Sequence, residues 1–135
     1  MNLKKIIWLI TLSLLVRCQP AGSVDDKETE GGSIKVTIMY PYDVNKTFDM
    51  DYYEDKHMPM LADLFGGAMK KYEIDQGLRG RTSDDDVPFL AIGYLHFDSV
   101  VDYEKAFARN AEKILADIPN YTNVQPIVQI SRVVK

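Results

Sequence analysis

The spacing of apolar and polar residues predicts four β-strands after position 33. Segment 34–40 has a period of two, is rich in β-branched residues and ends at Pro41, which cannot donate to a sheet ladder. Segment 88–97 is almost continuously apolar, as expected of a central strand that is covered on both faces. The other two strand-like segments are 69–78 and 125–134.

The helical segment after the first strand combines a histidine with a proline. Asp49 can cap a helix that begins at Met50 and stops at the glycine pair 66–67. Proline inside a helix removes a backbone donor and costs about 3 kcal/mol. Pro59 therefore predicts a local break beside His57 that lets the imidazole face inward. The residues of the apolar stripe recur at helical spacing: Tyr53, His57, Met60, Leu61 and Leu64.

A second helical segment follows the third strand. Ser99 and Asp102 match the S-x-x-D capping box that opens a helix. Its inner stripe comprises Val100, Tyr103, Phe107, Ala111 and Ile114. The predicted order of elements is therefore β-α-β-β-α-β.

This order is that of the ferredoxin-like α+β fold, with a four-stranded antiparallel sheet and both helices on one face. In the third strand, Leu90, Ile92 and Tyr94 alternate with apolar residues, so both faces of the sheet are expected to be apolar. An exposed apolar face of this size usually marks an interface. We expect a homodimer whose sheets pack face to face as a dimeric α+β barrel. The alternative is a monomer whose open face is covered by loops.

The N-terminus has the pattern of an export signal. Lys4 and Lys5 precede the apolar run 6–16, which fits a secretory leader and is shorter than the span of about 20 residues that crosses a membrane. Cys18 follows in "LLVRC", where a bacterial lipoprotein has its lipidated cysteine, although Arg17 replaces the usual small residue. We expect residues 1–18 to be a signal peptide and the protein to be exported, either periplasmic or anchored to a bacterial membrane through Cys18 alone. A plain leader without lipidation is the alternative.

The remainder of the chain divides into two parts. Residues 19–33 are rich in Gly, Ser and acidic side chains and predict a flexible tether, because they cannot bury enough apolar surface to order themselves. Residues 34–135 form one domain. The net charge of −4 argues against nucleic acid as a partner, because phosphate binding needs clustered Lys and Arg.

Signals for metals and cofactors are weak in this sequence. With two histidines and one cysteine, the chain has no H-x-x-x-H pair, no C-x-x-C and no glycine-rich phosphate loop. The three aspartates 84–86 are interpreted as a solvated loop, and His96 as structural. We expect neither a metal nor a cofactor, with haem bound through His57 as a remote alternative.

The inward-facing histidine predicts a pocket for a small hydrophobic molecule. Apolar walls with one group that titrates near neutral pH and a few phenols are typical of such sites. His57 would act as a base, with Tyr53 beside it as the second catalytic residue and tyrosines holding an oxyanion. The residues expected to bind substrate are Tyr40, Met60, Leu64 and Tyr121. A histidine that only satisfies the core is the alternative.

Four segments resemble recurring segments of the EthD family, named for ethyl tert-butyl ether degradation: "FDMDYYEDKHMP", "DQGL", "VPFLAIGYLHFDS" and "ADIPNYTNVQPIVQIS". The resemblance extends over 34–135 and implies a dimeric α+β barrel. It also implies a cofactor-independent oxidoreductase or proton-transfer enzyme, of the reductase, monooxygenase or cyclase type, that acts on a small aromatic or ketonic metabolite. A shared fold does not transmit a reaction, so a non-catalytic exported protein that binds such a molecule is the alternative.

Overall fold

The computed structural model describes residues 33–135, so the predicted signal peptide, Cys18 and nearly all of the predicted tether lie outside the described residues. All four predicted strands are present. They are β1 (Ile34–Pro41), β2 (Met69–Gln76), β3 (Phe89–Phe97) and β4 (Ile127–Arg132). They form one antiparallel sheet in the order β2-β3-β1-β4. In this part of the chain, no helix has both the length and the hydropathy needed to cross a membrane.

Both predicted helical segments are present, and the first is divided into pieces. Short 3₁₀ turns cover Gly66–Ala68 and Ile118–Asn120. The longer elements are α1 (Met50–Tyr52), a π-helical segment (Tyr53–His57), α2 (Met58–Phe65) and α3 (Val100–Asp117). The element order confirms the predicted ferredoxin-like α+β fold.

The predicted caps open both helical segments. The Tyr52 amide donates to the carboxylate of Asp49 at 2.9 Å. The Asp102 amide donates to the Ser99 hydroxyl at 3.1 Å, and that hydroxyl donates to the Asp102 carboxylate at 2.8 Å. Gly66 ends α2 with a φ of 53°, a value that side-chain-bearing residues rarely adopt.

The predicted break near Pro59 is a π-bulge on its N-terminal side. The Met58 amide bonds to the Tyr53 carbonyl, five residues back. Pro59 then lies in the first turn of α2, where a missing amide donor costs little. The extra residue shifts the inward stripe by one position, so the buried residues of α2 are Met58, Leu61 and Phe65.

The core lies between the helices and one face of the sheet. On β3 the buried residues are Ala91, Gly93, Leu95 and Phe97, which alternate with half-buried ones. Val36 on β1 pairs with Leu95 and is fully buried. Both helices therefore cover the same face of the sheet, as predicted.

The open face of the sheet has one mainly apolar row, in which the residue on β2 is Asp75. The register forms three successive rows: Asp75, Ile92, Met39 and Ile127; then Glu73, Tyr94, Thr37 and Gln129; then Lys71, His96, Lys35 and Ser131. The expectation of a wholly apolar second face is therefore met only in part, by Ile92, Met39 and Ile127 of the first row. Polar side chains from all four strands occupy the other two rows, including His96 on β3, whose Nε2 lies 2.9 Å from Glu73.

Candidate active site

The histidine beside the π-bulge is paired with an aspartate at the end of α3. His57 is 3% exposed, and its Nδ1 lies 2.8 Å from Oδ2 of Asp117. The other carboxylate oxygen accepts hydrogen bonds from the Tyr52 hydroxyl at 2.8 Å and from the Asn120 amide at 2.9 Å. Three donors therefore hold the Asp117 carboxylate in place.

This set of bonds determines the tautomer of the imidazole. Partial burial acts to raise the pKa of Asp117, but the bonds from His57, Asn120 and Tyr52 outweigh it and lower the pKa below 3.8. Burial lowers the pKa of His57 below 6.5, although Asp117 opposes that shift. The imidazole is therefore neutral at pH 7, donates from Nδ1 to the carboxylate and carries a lone pair on Nε2.

Two tyrosines extend the polar chain from Nε2. The Tyr121 hydroxyl lies 3.3 Å from Nε2 of His57, and the Tyr40 hydroxyl lies 2.7 Å from that of Tyr121. The first of these distances is long for a hydrogen bond, so Nε2 is only weakly engaged. Burial raises the pKa of both phenols far above the ordinary value of 10, so both stay protonated. The chain Asp117, His57, Tyr121 and Tyr40 links α3, the π-bulge and β1.

Tyr53 supports the imidazole by stacking. Its ring lies 5.6 Å from that of His57 with an angle of 17° between the planes. Its buried hydroxyl has no hydrogen-bond partner among the described residues. A Cβ at Gly93 would lie 2.3 Å from that hydroxyl, so the glycine provides the space in which the phenol sits.

A cavity of about 120 Å³ lies between β1, β3, α2 and α3, and His57 is one of its walls. Among the described residues that line it, the side chains with polar atoms belong to Tyr40, His57 and Tyr103. Leu115 on α3 and Val128 on β4 also line it and are 54% and 51% exposed, so they mark its mouth. The cavity is apolar with polar groups at few points, as is typical of small-molecule sites.

The structure brings only some of the predicted site residues to this cavity. His57 and Tyr40 line it, and Tyr121 bonds to both without lining it. Leu61, predicted on the inward stripe, and Phe65 line the cavity from α2, whereas Met60 and Leu64 do not, because the π-bulge shifts the helix phase. Tyr53 contacts His57 from outside the cavity wall.

Asp117 is the site residue that the sequence analysis missed. It is the last residue of α3 and lies 60 positions from His57. A carboxylate at the end of a helix has no local feature that distinguishes it from a solvated one. The only signal available was its place at the start of the family-like segment "DIPNYT".

The residues at the site do not suit a haem group or a metal ion. Nδ1 of His57 is bonded to Asp117, Nε2 lies 3.3 Å from the Tyr121 hydroxyl, and the cavity of about 120 Å³ is close in size to the roughly 150 Å³ cavity that accepts a single benzene ring in another protein, far less than a haem needs. Within residues 33–135, no three His, Cys, Asp or Glu side chains are grouped so that they could hold a metal ion.

The fold and the helix-covered site place the protein among the ferredoxin-like α+β proteins. Residues 42–125 match the family model described as the EthD domain. An EthD-like protein from Ralstonia eutropha, of known crystal structure, is 40% identical, with a TM-score of 0.75, over 77% of this chain and 94% of that one. The chain belongs to the EthD family, as its sequence motifs predicted.

More distant structures share the fold. A cofactor-independent oxygenase from Streptomyces nogalater is 6% identical, with a TM-score of 0.52, over 78% of this chain and 96% of that one. A dimeric ferredoxin-like protein of unknown function from Thermobifida fusca is 12% identical, with a TM-score of 0.50, over 77% and 93%. No match was found among curated proteins.

Proposed function

We propose that this EthD-family protein is an enzyme that removes a proton from a small aromatic or ketonic molecule, with His57 as the general base. The observation that carries the proposal is a buried histidine in the wall of an apolar cavity, His57, paired with the partly buried Asp117 behind it. A neutral imidazole held in one tautomer by a carboxylate is the arrangement that a general base needs.

The acidic hydrogen of the substrate would pass to Nε2 of His57. The proton acquired by the imidazole is stabilised by Asp117 at the opposite nitrogen, 2.8 Å away. Tyr40 is a residue of the cavity wall, and its hydroxyl would donate to the oxygen that becomes negative. Tyr121 would move off Nε2 or donate to the same oxygen.

No cofactor is needed for this step. A deprotonated phenol or enol is also electron-rich enough to be oxidised by dioxygen, which would make the protein a cofactor-independent oxidoreductase. The fold shared with the Streptomyces nogalater oxygenase supports this extension. Binding of such a molecule without turnover, by an exported accessory protein, is the competing function.

Turnover assays with Asp117→Asn test the proposal. The purified protein should convert members of a panel of phenols, quinones and cyclic ketones without added cofactor. Asp117→Asn should lower kcat by about tenfold or more, because the imidazole loses the carboxylate that orients it and stabilises its charged form. Binding without turnover for the whole panel would favour the accessory role.

We also propose that the protein acts as a homodimer joined through the open face of the sheet. The row containing Ile92, Met39 and Ile127 supplies the apolar part of that interface, and Ile127 is 53% exposed in the single chain. The dimeric fold relative from Thermobifida fusca supports this assembly. Export, with Cys18 as a lipid anchor, is proposed from the leader pattern alone.

A further inference from the structure

We propose that the cavity selects an uncharged molecule of one ring. The inference rests on the proposed function in placing the substrate in this cavity, and it narrows the aromatic or ketonic class to one size and one charge. The observations that carry it are the composition of the walls, the volume and the position of the polar groups.

The walls contain nothing that could pair with a charged ligand. Among the described residues that line the cavity, none is Lys, Arg, Asp or Glu. Within this lining the ionisable base is His57, which is neutral at pH 7 and donates from Nδ1 to Asp117. A charged group buried without a partner costs far more than a polar one, so a carboxylate or ammonium ligand would have to enter in its neutral form.

The polar side chains of the cavity wall lie at two places. Tyr40 and His57 are joined through Tyr121, so their polar atoms form one continuous group. Tyr103 on α3 supplies the other hydroxyl, and the remaining described side chains of the wall offer only carbon. A ligand oxygen that meets only these carbon atoms would lack a partner and cost about 1–3 kcal/mol.

The volume limits the ligand to one ring. A cavity of about 120 Å³ is close to the roughly 150 Å³ that holds benzene in an apolar cavity. Protein interiors are close-packed, so a fused second ring would have to displace the buried wall, which includes Leu61 and Leu95. The half-exposed Leu115 and Val128 at the mouth are the side chains best placed to move aside for a larger ligand.

Equilibrium binding of four probes to the full-length protein tests the charge and size rules. Phenol and benzyl alcohol should bind, and 2-naphthol should bind at least about tenfold more weakly than phenol. Benzoate must be protonated to enter, and a carboxyl group with a pKa of about 4 makes its affinity at pH 7 about 10³-fold weaker than that of benzyl alcohol. That affinity should rise about tenfold for each pH unit between pH 7 and pH 5, while benzyl alcohol serves as the pH control.

A variant at the mouth tests the size rule separately. Leu115→Ala should improve 2-naphthol binding more than phenol binding, and it should fold because the side chain is 54% exposed. Val101→Ala, at a 47% exposed position on the same helix outside the cavity wall, is the matched control and should change neither affinity.

Three results would overturn the inference: benzoate binding at pH 7 as tightly as benzyl alcohol, equal affinities for phenol and 2-naphthol, or no binding by any probe. Failure of the proposed function gives a different result. If the probes follow the charge and size rules but no neutral single-ring compound is turned over, the selectivity stands and the catalytic proposal fails. Turnover restricted to charged or fused-ring compounds would overturn the inference and leave catalysis intact.

Discussion

Nδ1 of His57 lies 2.8 Å from the carboxylate of Asp117, which is 60 positions further along the chain. The π-bulge turns the histidine inward, and the end of α3 places the aspartate against it. Because the aspartate stays ionised and the imidazole stays neutral at pH 7, Nε2 carries a lone pair that only the Tyr121 hydroxyl, 3.3 Å away, approaches among the described residues, and His57 lines an apolar cavity. The following predictions test this pair and its surroundings.

Protonation of His57 should weaken the fold. Burial holds its folded-state pKa below 6.5, so the unfolded chain binds the proton more readily. The contribution of His57 to the free energy of unfolding should be largest above about pH 6.5, and it should fall as the pH drops toward the folded-state pKa. Urea melts between pH 7.5 and pH 5 measure this loss, and the imidazole signals in NMR follow the titration directly.

The partner of His57 provides the control for that titration. Asp117 acts to raise the pKa of His57, so Asp117→Asn should lower that pKa further. A His57 titration midpoint above 6.5 in the wild-type protein would mean that Asp117 outweighs burial and would contradict the lowered pKa. An unchanged midpoint in Asp117→Asn would contradict the pairing.

Tyr53 and Gly93 should be coupled through one hydroxyl. Gly93→Ala places a methyl carbon only 2.3 Å from the buried Tyr53 hydroxyl oxygen. This overlap should cost about 1–3 kcal/mol of stability. Tyr53→Phe removes a hydroxyl that has no described partner and should be close to neutral. In the double variant the cost of Gly93→Ala should fall by about half or more, as a double-mutant cycle of chemical melts would show.

If the effects of the two substitutions on stability are additive, the Tyr53 hydroxyl does not lie against Gly93. The same single variant also tests the predicted catalytic role of Tyr53. Turnover should survive Tyr53→Phe if the ring only stacks on His57, and loss of turnover with unchanged stability would make the hydroxyl part of the reaction.

The first helical segment shows what sequence periodicity can and cannot predict. The caps, the stop at Gly66 and the inward direction of His57 follow from local rules, and the structure has each of them. The π-bulge inserts one residue into the repeat, so a pattern with period 3.6 selects Met60 and Leu64 where the cavity has Leu61 and Phe65. Such a shift leaves no mark in the spacing of apolar residues.

Contacts between residues far apart in the chain are the second feature that could not be predicted from the sequence. Tyr40, at the end of the first strand, and Tyr121, in "IPNYT", were predicted near the site, and the fold joins their hydroxyls at 2.7 Å. Asp117 ends α3, and its role depends on the contact of that helix end with the π-bulge. The prediction of an apolar open face was wrong in part for a related reason. The polarity of that face depends on residues of the neighbouring strands, such as Glu73 and Lys35, and not on β3 alone.

The assembly should depend on the apolar row of the open face. The protein lacking residues 1–18 should be a dimer at micromolar concentration in light scattering. Ile92→Lys should give a folded monomer, because a charge would be buried at the centre of the paired sheets. Val101→Lys, on the surface of α3, is the matched control and should remain a dimer. A wild-type monomer would contradict the face-to-face assembly.

The membrane anchor should depend on Cys18. Full-length protein expressed in a bacterial host should partition with membranes, and Cys18→Ser should release it. Arg17→Ala restores the small residue that usually precedes a lipidated cysteine, so it should increase the membrane fraction. Fractionation that is the same for wild type and Cys18→Ser would remove the lipoprotein hypothesis.

The most direct test of the catalytic account is a comparison of the two histidines, since the chain has no others. Each is changed to glutamine, and thermal stability and turnover of the most active neutral phenol or ketone are measured together. His57→Gln should lower kcat by about 10²-fold or more, as loss of a general base does, while the melting temperature changes little. His96→Gln, on the open face, should retain wild-type turnover. A large loss of stability in His57→Gln with unchanged ligand affinity and turnover would show that the histidine is structural and would contradict the account.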